Sequence, residues 1–273
     1  MLRDRQLRDP RLVVELIGAR VTRDRQPLKL TDKELEFLTL LGSAHGSISR
    51  DRIGETLWGH LDPEEWPNNI KVTLSRLRTK LGVRDAVLSS NGGYRLGPKI
   101  EVDLRRAEAL VRDTASALLD EAGRDALRRI VMAYRSGSAA RYERFPWAQS
   151  FLVRIQDVVC TAGLMLAKDA LRRSSIHEAL TEARAVTDVD SLNESACELT
   201  IRAYLTLDDV DAARREFRRY AAVLESELAT APAPHLAALA QEPLRNPKLV
   251  GSYGPLGGTT PEPIGPARLP PLP

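Results

Sequence analysis

One stretch, NNIKVTLSRLRTKLG at positions 68–82, restricts the fold of this chain more than any other. Its apolar residues recur at the spacing of one helix face, and its four cations occur without an acid. On a helical wheel the apolar residues form a narrow stripe, and polar and basic residues cover the other side. The stretch therefore predicts an amphipathic helix that packs on a core and leaves a cationic face outside. The stripe consists of Ile70, Leu74, Leu77 and Leu81.

The segment before this helix predicts a small sheet and two further helices. Residues 11–30 are rich in Val, Ile and Leu with short alternations, which is typical of an antiparallel sheet. Thr31 and Glu34 have the spacing of a capping box and open a first helix. Ser49 is in position to cap a second helix, which ends near Gly59.

The segment after the basic helix predicts a β-hairpin. Asn91, Gly92 and Gly93 separate two short apolar runs, and these residue types tolerate the positive φ of a tight turn. The order of sheet, three helices and hairpin is that of a winged helix-turn-helix domain, which we expect at residues 11–98. Residues 1–10 would form an N-terminal tail.

Residues 99–242 have a helical pattern throughout, with a weak internal repeat. Five pairs of small, apolar or aromatic residues are separated by 34 positions, which is the period of tetratricopeptide helix pairs. We therefore predict a TPR-like helical domain, with a generic helical bundle as the alternative. The fold class is mainly α with a small β component. The pairs are Ala167/Ile201, Ala170/Tyr204, Ala179/Ala213, Ala183/Phe217 and Val186/Tyr220.

Composition and charge are consistent with two joined modules. Residues 1–100 hold 18 Lys/Arg and 13 Asp/Glu, whereas residues 101–273 hold 22 and 24. A basic first part joined to a near-neutral second part fits a nucleic-acid module with a regulatory partner. Residues 243–273 are rich in Gly and Pro, which predicts a disordered tail.

The cysteines and the apolar runs predict a cytoplasmic protein. Cys160 and Cys197 lie far apart in apolar helical patterns, as buried free thiols of a reducing compartment would. The N-terminus is charged and has no apolar core, unlike a secretory signal. No apolar run approaches the ~18–20 residues of a membrane helix, so we expect no contact with a membrane.

The outward face of the basic helix has the side chains that a DNA major groove requires. Arg76 can donate two hydrogen bonds to a guanine edge, and Asn68 or Asn69 can pair with adenine. Val72, an apolar residue on a polar face, can contact a thymine methyl group. The two flanks of this face are predicted to meet phosphates. They carry Lys71 and Arg78 on one side, and Thr73 and Lys80 on the other.

The alternative for this helix is a basic face that only meets solvent. Three observations favour DNA binding instead. No acid lies one helical turn away to form ion pairs. Val72 faces outwards, and the helix is the third one of the predicted winged helix-turn-helix domain. In this combination double-stranded DNA is the predicted partner.

Residues 28–97 resemble the winged-helix output domain of OmpR/PhoB-type response regulators. The matching segments are LTDKELEFLTLL, SRDRIGETLWG, IKVTLSRLRTKLG and GGYRL. The resemblance implies that Trp58 contacts a phosphate, with packing between the second helix and its loop as the alternative. It also places Lys71, Val72 and Arg76 at bases and Arg78 at a phosphate. Ser90 stands where some members have a basic wing residue, so no minor-groove contact from the wing is expected. Arg95 would touch only a phosphate or solvent.

The helical region resembles the bacterial transcriptional activator domain, on the segments VDLRRAEAL, YRSG, PWAQSFLVRIQDVV and DDVDAARREFRRYAAVLESEL. The pairing of the two domains, over roughly residues 11–230, is similar to the Streptomyces antibiotic regulatory protein family. The resemblance implies a transcriptional activator that binds direct repeats near promoters, often as a dimer, and recruits RNA polymerase. No receiver-like segment precedes residue 11, so we do not expect the phosphorylation switch of response regulators.

The sequence contains no motif for catalysis, metal or cofactor binding, so we expect neither an enzyme nor a cofactor. The four histidines are scattered, and none has a metal-ligand spacing. Two other functions remain open. In one, the helical repeats form a scaffold and the winged helix is a protein docking surface. In the other, the helical domain senses a small molecule or peptide that the sequence does not identify.

Overall fold

A computed structural model of the chain describes residues 11–83, 85–114 and 118–241. The predicted tails, 1–10 and 243–273, lie outside these residues. The strands are β1 Leu12–Glu15, β2 Arg20–Arg23, β3 Gln26–Pro27, β4 Ile48–Ser49, β5 Val87–Ser90, β6 Gly93–Leu96 and β7 Glu101–Val102. The α-helices are α1 Asp32–Ser43, α2 Arg50–Trp58, α3 Trp66–Leu81, α4 Asp103–Thr114, α5 Glu121–Arg135, α6 Gln149–Arg172, α7 Ile176–Val189, α8 Glu194–Thr206, α9 Val210–Leu228 and α10 Pro234–Gln241.

The N-terminal third of the chain is a winged helix, as predicted. Its first helix begins with the capping box, in which the Thr31 side chain accepts from the Glu34 N–H and the Glu34 carboxylate accepts from the Thr31 N–H. The wing is the hairpin β5–β6, whose two-residue loop has φ of 45° at Asn91 and 76° at Gly92. Strand β4 pairs with β6, so the wing belongs to a three-stranded sheet.

Helices α2 and α3 approach each other closely at Gly54. A Cβ atom at this position would lie 2.5 Å from the ring of Trp66, which begins α3. The Trp66 indole N–H also donates to the Trp58 carbonyl oxygen at 3.0 Å. Small size at Gly54 and one hydrogen bond thus fix the N-terminal end of α3 against α2.

The N-terminal sheet includes a strand from beyond the predicted domain boundary. Strands β3, β2 and β1 are antiparallel neighbours, but β7 pairs in parallel with β1 at the opposite edge. Directly after β7, the Asp103 carboxylate accepts backbone N–H bonds from Leu16 at 2.6 Å and Ile17 at 3.1 Å. The boundary at residue 98 remains a prediction, and a fragment that ends there would lack both features.

Helices α6 to α9 form two helical hairpins whose geometry repeats after 34 residues. The turn residues Ser174 and Asp208 both have φ of 58°. In each turn the next N–H reaches back to the same relative carbonyl, Ser175 to Ala170 at 2.8 Å and Asp209 to Tyr204 at 3.0 Å. The TPR-like fold class is confirmed, since the backbone repeats with the period found in the sequence.

The five predicted residue pairs lie in the interior of these hairpins. Eight of their ten members are buried, while Tyr204 and Phe217 are half-buried. The match has a simple cause, because each hairpin packs the same relative positions against its neighbour.

The winged helix and the first helices of the helical domain share a continuous core. One cluster of buried apolar residues extends from Leu12 in β1 to Ala185 in α7. Polar contacts across this junction converge on α1 and its C-terminal end. The Trp147 indole N–H donates to Glu36 at 3.0 Å, Arg154 donates to the Ser43 carbonyl oxygen at 2.9 Å, and Arg141 donates to Asp32 at 2.9 Å.

Helix α6 requires a correction to the sequence-based expectation about membranes. The segment Pro146–Arg172 is long and apolar enough to cross a membrane by length and composition alone. However, half of the most apolar 18-residue stretch of this helix is buried inside the protein, and α6 packs against both α5 and α7. Its apolar character is therefore explained by its place in the helical core.

Candidate nucleic-acid interface

The outward face of α3 is open to solvent along its whole length. The predicted stripe is buried, with Ile70, Leu74, Leu77 and Leu81 all at or below 2% exposure. The opposite face consists of exposed residues, and its apolar member Val72 is 41% exposed. This arrangement leaves a polar and cationic ridge with one apolar contact point. The exposed residues are Asn68, Lys71, Val72, Ser75, Arg76 and Thr79.

The cations on this ridge are available to a partner. Within the described parts of the chain, neither Lys71 nor Arg76 forms an ion pair. The Asn69 amide donates back to the Glu65 carbonyl oxygen at 3.1 Å, so one of its two donors is already used. The exposed acids Glu64 and Glu65 precede α3, which makes its N-terminal end less cationic than its middle. Anion binding is therefore expected to centre on Lys71 and Arg76.

One flank of α3 is connected to the wing. Arg78 is exposed, and its guanidinium donates to the Val87 carbonyl oxygen in β5 at 3.3 Å. Arg95 in β6 is half-buried, and its guanidinium lies 3.5 Å from the Leu96 carbonyl oxygen. Arg78 is thus held in place with donors to spare for a phosphate, whereas Arg95 is less accessible. Both phosphate contacts remain predictions.

Trp58 is placed differently from a surface phosphate contact. Its side chain is only 6% exposed, its ring centroid lies 6.4 Å from that of Phe37, and the Lys33 ammonium lies 5.7 Å from the ring. This position favours the packing alternative considered for Trp58. The ring supports the junction of α1 and α2 rather than presenting a free edge to a ligand.

The second flank of α3 is partly enclosed by the protein, which makes two of the predicted phosphate contacts less favourable, although the Lys80 side chain is still 38% exposed. Thr73 lies about 60° from Ile70 on the helix at ~100° per residue, and it is 9% exposed. The Lys80 ammonium donates to the Glu34 carboxylate of α1 at 2.6 Å, and that carboxylate is 3% exposed. Thr73 is therefore too enclosed for a phosphate, and the charge of Lys80 already has a partner.

The structure adds one cation that the sequence pattern did not single out. Arg50, the first residue of α2, is exposed and lies 5.7 Å from the Tyr94 ring centroid. Its backbone N–H is 3.4 Å from the Gly92 carbonyl oxygen, so it sits where α2 meets the wing. In the sequence, Arg50 is distinguished only by its position directly after the helix cap Ser49. That position does not show that the residue lies beside the wing.

Comparison with known proteins agrees with this geometry. Residues 102–244, more than half of the chain, match the family described as bacterial transcriptional activator domain. Residues 25–96 match the family described as transcriptional regulatory protein, C terminal. The chain belongs to the bacterial transcriptional activator domain family. Its predicted pairing of an OmpR/PhoB-type winged helix with this domain is confirmed, and this pairing is similar to that of the Streptomyces antibiotic regulatory proteins.

A solved structure has the same fold as this bacterial transcriptional activator domain protein. The structure is that of Mycobacterium tuberculosis EmbR in complex with a low affinity phosphopeptide. The two chains are 24% identical with a TM-score of 0.72, and the match covers 87% of this chain and 67% of EmbR. No match was found among curated proteins. The two matched families are transcription regulator domains, which supports a DNA-binding transcriptional regulator.

The Lys80–Glu34 contact makes a prediction that separates stability from DNA binding. Burial by itself would raise the pKa of Glu34, but the hydrogen bonds from Lys80 and Thr31 outweigh it and lower the pKa below its usual value. The charged Glu34 carboxylate therefore stabilises the fold fully when the pH is above the usual pKa of a glutamate. This stabilisation is lost as the pH falls through the lowered pKa of Glu34. Removing Lys80 would leave the Glu34 carboxylate buried without its cation.

We expect Lys80→Ala to reduce the free energy of unfolding of the full chain by about 1–3 kcal/mol in urea titrations at neutral pH. The matched control is Lys71→Ala, which removes the same charge from an exposed position and should change stability by less than ~0.5 kcal/mol. Unchanged stability in Lys80→Ala, together with weaker DNA binding, would instead assign Lys80 to a phosphate.

Proposed function

We propose that this protein binds promoter DNA in a sequence-specific manner by inserting α3 into the major groove. The observation that carries the proposal is the exposed, acid-free ridge of α3. On this ridge Lys71 and Arg76, which form no ion pair with a described residue, lie beside the exposed Val72. A major groove admits one helix and presents guanine acceptors, adenine donors and thymine methyl groups to it. Arg76, Val72 and Lys71 would read bases, with Asn68 and Asn69 at the less cationic end.

Phosphate contacts would come from the flank that joins α3 to the wing. Arg78 is the best-placed candidate, because Val87 anchors its guanidinium beside the groove-facing ridge. Arg50 would add a second contact from the start of α2. These contacts would fix the register of the protein on DNA without reading the sequence.

The proposed biological role is transcriptional activation in the cytoplasm. The helical domain would recruit RNA polymerase or mediate oligomerisation, as the resemblance to the Streptomyces family implies. Two copies bound head to tail would read direct repeats about one helical turn apart, ~10–10.5 base pairs. The alternative, a scaffold with a docking winged helix, does not account for an acid-free ridge that matches a groove.

The experiment that tests this proposal is selection of bound sites from random double-stranded DNA by the full-length protein. We expect enrichment of a short motif that contains guanine and thymine and occurs as a direct repeat. The charge reversal Arg76→Glu should abolish enrichment, whereas Arg112→Glu, an exposed position on α4, should not. A lack of enrichment with folded wild-type protein would contradict sequence-specific DNA binding and favour the docking surface.

A further inference from the structure

A cavity of about 800 Å³ lies at the junction of the winged helix and the helical domain. Its floor is the outer face of β1, and its walls are α4 and α5. The volume lies within the range of small-molecule sites, ~300–1,000 Å³. Small side chains keep it open, because Ala109 of α4 and Ala126 and Ala133 of α5 line it where larger residues would fill it.

The lining combines an apolar surface with a cationic rim. Ile17, Leu110 and Ile130 supply apolar contacts, and Met132, a flexible thioether at the wall, is 64% exposed. A mostly apolar cavity with a few polar groups is the usual composition of a site for small organic ligands. Methionine adapts its shape to different apolar ligands.

Among the residues that the structure describes, the rim of the cavity has one arginine without an ion-pair partner. Arg20 donates to Glu15 at 2.6 Å, and Arg106 donates to Glu101 at 2.6 Å. The Arg129 side chain, exposed on α5, forms no ion pair with any residue that the structure describes. Three arginines also outnumber the two carboxylates of the lining, Glu15 and Asp103.

The remaining acid of the lining is engaged with the backbone. The Asp103 carboxylate accepts from the N–H groups of Leu16, Ile17 and Leu104. Burial raises its pKa to about 7, against the opposing effect of these three bonds. The burial effect reduces the repulsion that an anion would meet inside the cavity at neutral pH.

We propose that this cavity binds a small amphipathic organic anion, with its acidic group at Arg129 and its apolar body between α4, α5 and β1. The positive charge of Arg129 favours an acidic group on the ligand. The volume of the cavity favours a single small molecule over a segment of a partner protein. The ligand would contact the DNA-binding and helical domains at the same time. This proposal and the DNA-binding proposal can fail separately, because ligand binding is measured in the absence of DNA.

The test uses decanoate as the probe and decanol as its uncharged counterpart, each titrated into the full-length protein by calorimetry. We expect one decanoate per chain and at least tenfold weaker binding of decanol, as is typical for loss of a charged hydrogen bond. Arg129→Ala should reduce decanoate affinity to the level of decanol, whereas Arg129→Lys should retain most of it. The matched control, Arg112→Ala, removes an exposed arginine of α4 that does not line the cavity.

A second variant tests the location without changing charge. Ala126→Leu narrows the cavity. It should weaken the binding of decanoate and of decanol alike, by about tenfold or more, because the larger side chain displaces part of the apolar chain of the ligand. Thermal unfolding followed by circular dichroism checks that each variant is folded. The proposal is overturned if wild-type protein does not bind decanoate, or if Arg129→Ala and Ala126→Leu both bind it as wild type does.

Discussion

Replacing Ala213 with glutamate should unfold the C-terminal helical repeat, with the largest loss of stability of any substitution considered. Ala213 in α9 is fully buried and belongs to an apolar cluster with Cys197, Ile201 and Tyr220. A glutamate at this position would be enclosed among apolar side chains, and none of the cluster members carries a positive charge. An uncompensated buried charge of this kind costs about 3–5 kcal/mol.

The expected loss is confined to one part of the protein. The cluster around Ala213 is separate from the core that unites the winged helix with helices α4 to α7. Calorimetry of the variant should show early melting of a helical unit, while DNA binding by the winged helix is retained and transcriptional activation is lost. The matched control is Ala222→Glu, the same change at an exposed position of the same helix. An unchanged melting temperature for Ala213→Glu would contradict the repeat packing.

Features that depend on local chemistry could be predicted from the sequence. The capping box needs only Thr31 and Glu34, and the wing turn needs only residues that tolerate positive φ at Asn91 and Gly92. The 34-residue period could be found because each hairpin buries the same relative positions. The buried stripe of α3 followed from periodicity alone.

Features that depend on distant contacts could not be predicted in this way. Strand β7 has two residues, too few for a periodic signal, and it is defined by its pairing with β1. The pairing of Lys80 arises because α1 lies against α3 and brings Glu34 to that flank. A helical wheel describes one helix without its neighbours, so it could not show the partner of Lys80. The enclosure of Thr73, by contrast, agrees with its angle of about 60° from Ile70 on the wheel.

The second large effect is expected at Arg76, at the centre of the exposed ridge of α3. Arg76→Ala should weaken binding to the selected DNA by about 1–3 kcal/mol, because a bidentate contact to guanine is lost. Binding to random DNA should change much less, since most random sites do not offer the matching guanine. The folded protein should keep its stability, because Arg76 is exposed and makes no ion pair with any described residue.

Arg78 provides the contrast within the same helix. A phosphate is present at every DNA site, so Arg78→Ala should weaken binding to selected and random DNA to a similar extent. Loss of one phosphate contact should also reduce the slope of log K against log salt by about one unit. Arg112→Ala serves as the control for removing an exposed arginine from a different helix, α4.

The most direct test of DNA reading by α3 is one salt titration series, on selected and random DNA, for wild type, Arg76→Ala and Arg78→Ala. We expect Arg76→Ala to lose affinity mainly on the selected site, and Arg78→Ala to lose affinity on both DNAs with a salt slope flatter by about one unit. If both variants bind both DNAs as wild type does, the ridge of α3 is only solvated surface, and the protein does not read DNA with this helix.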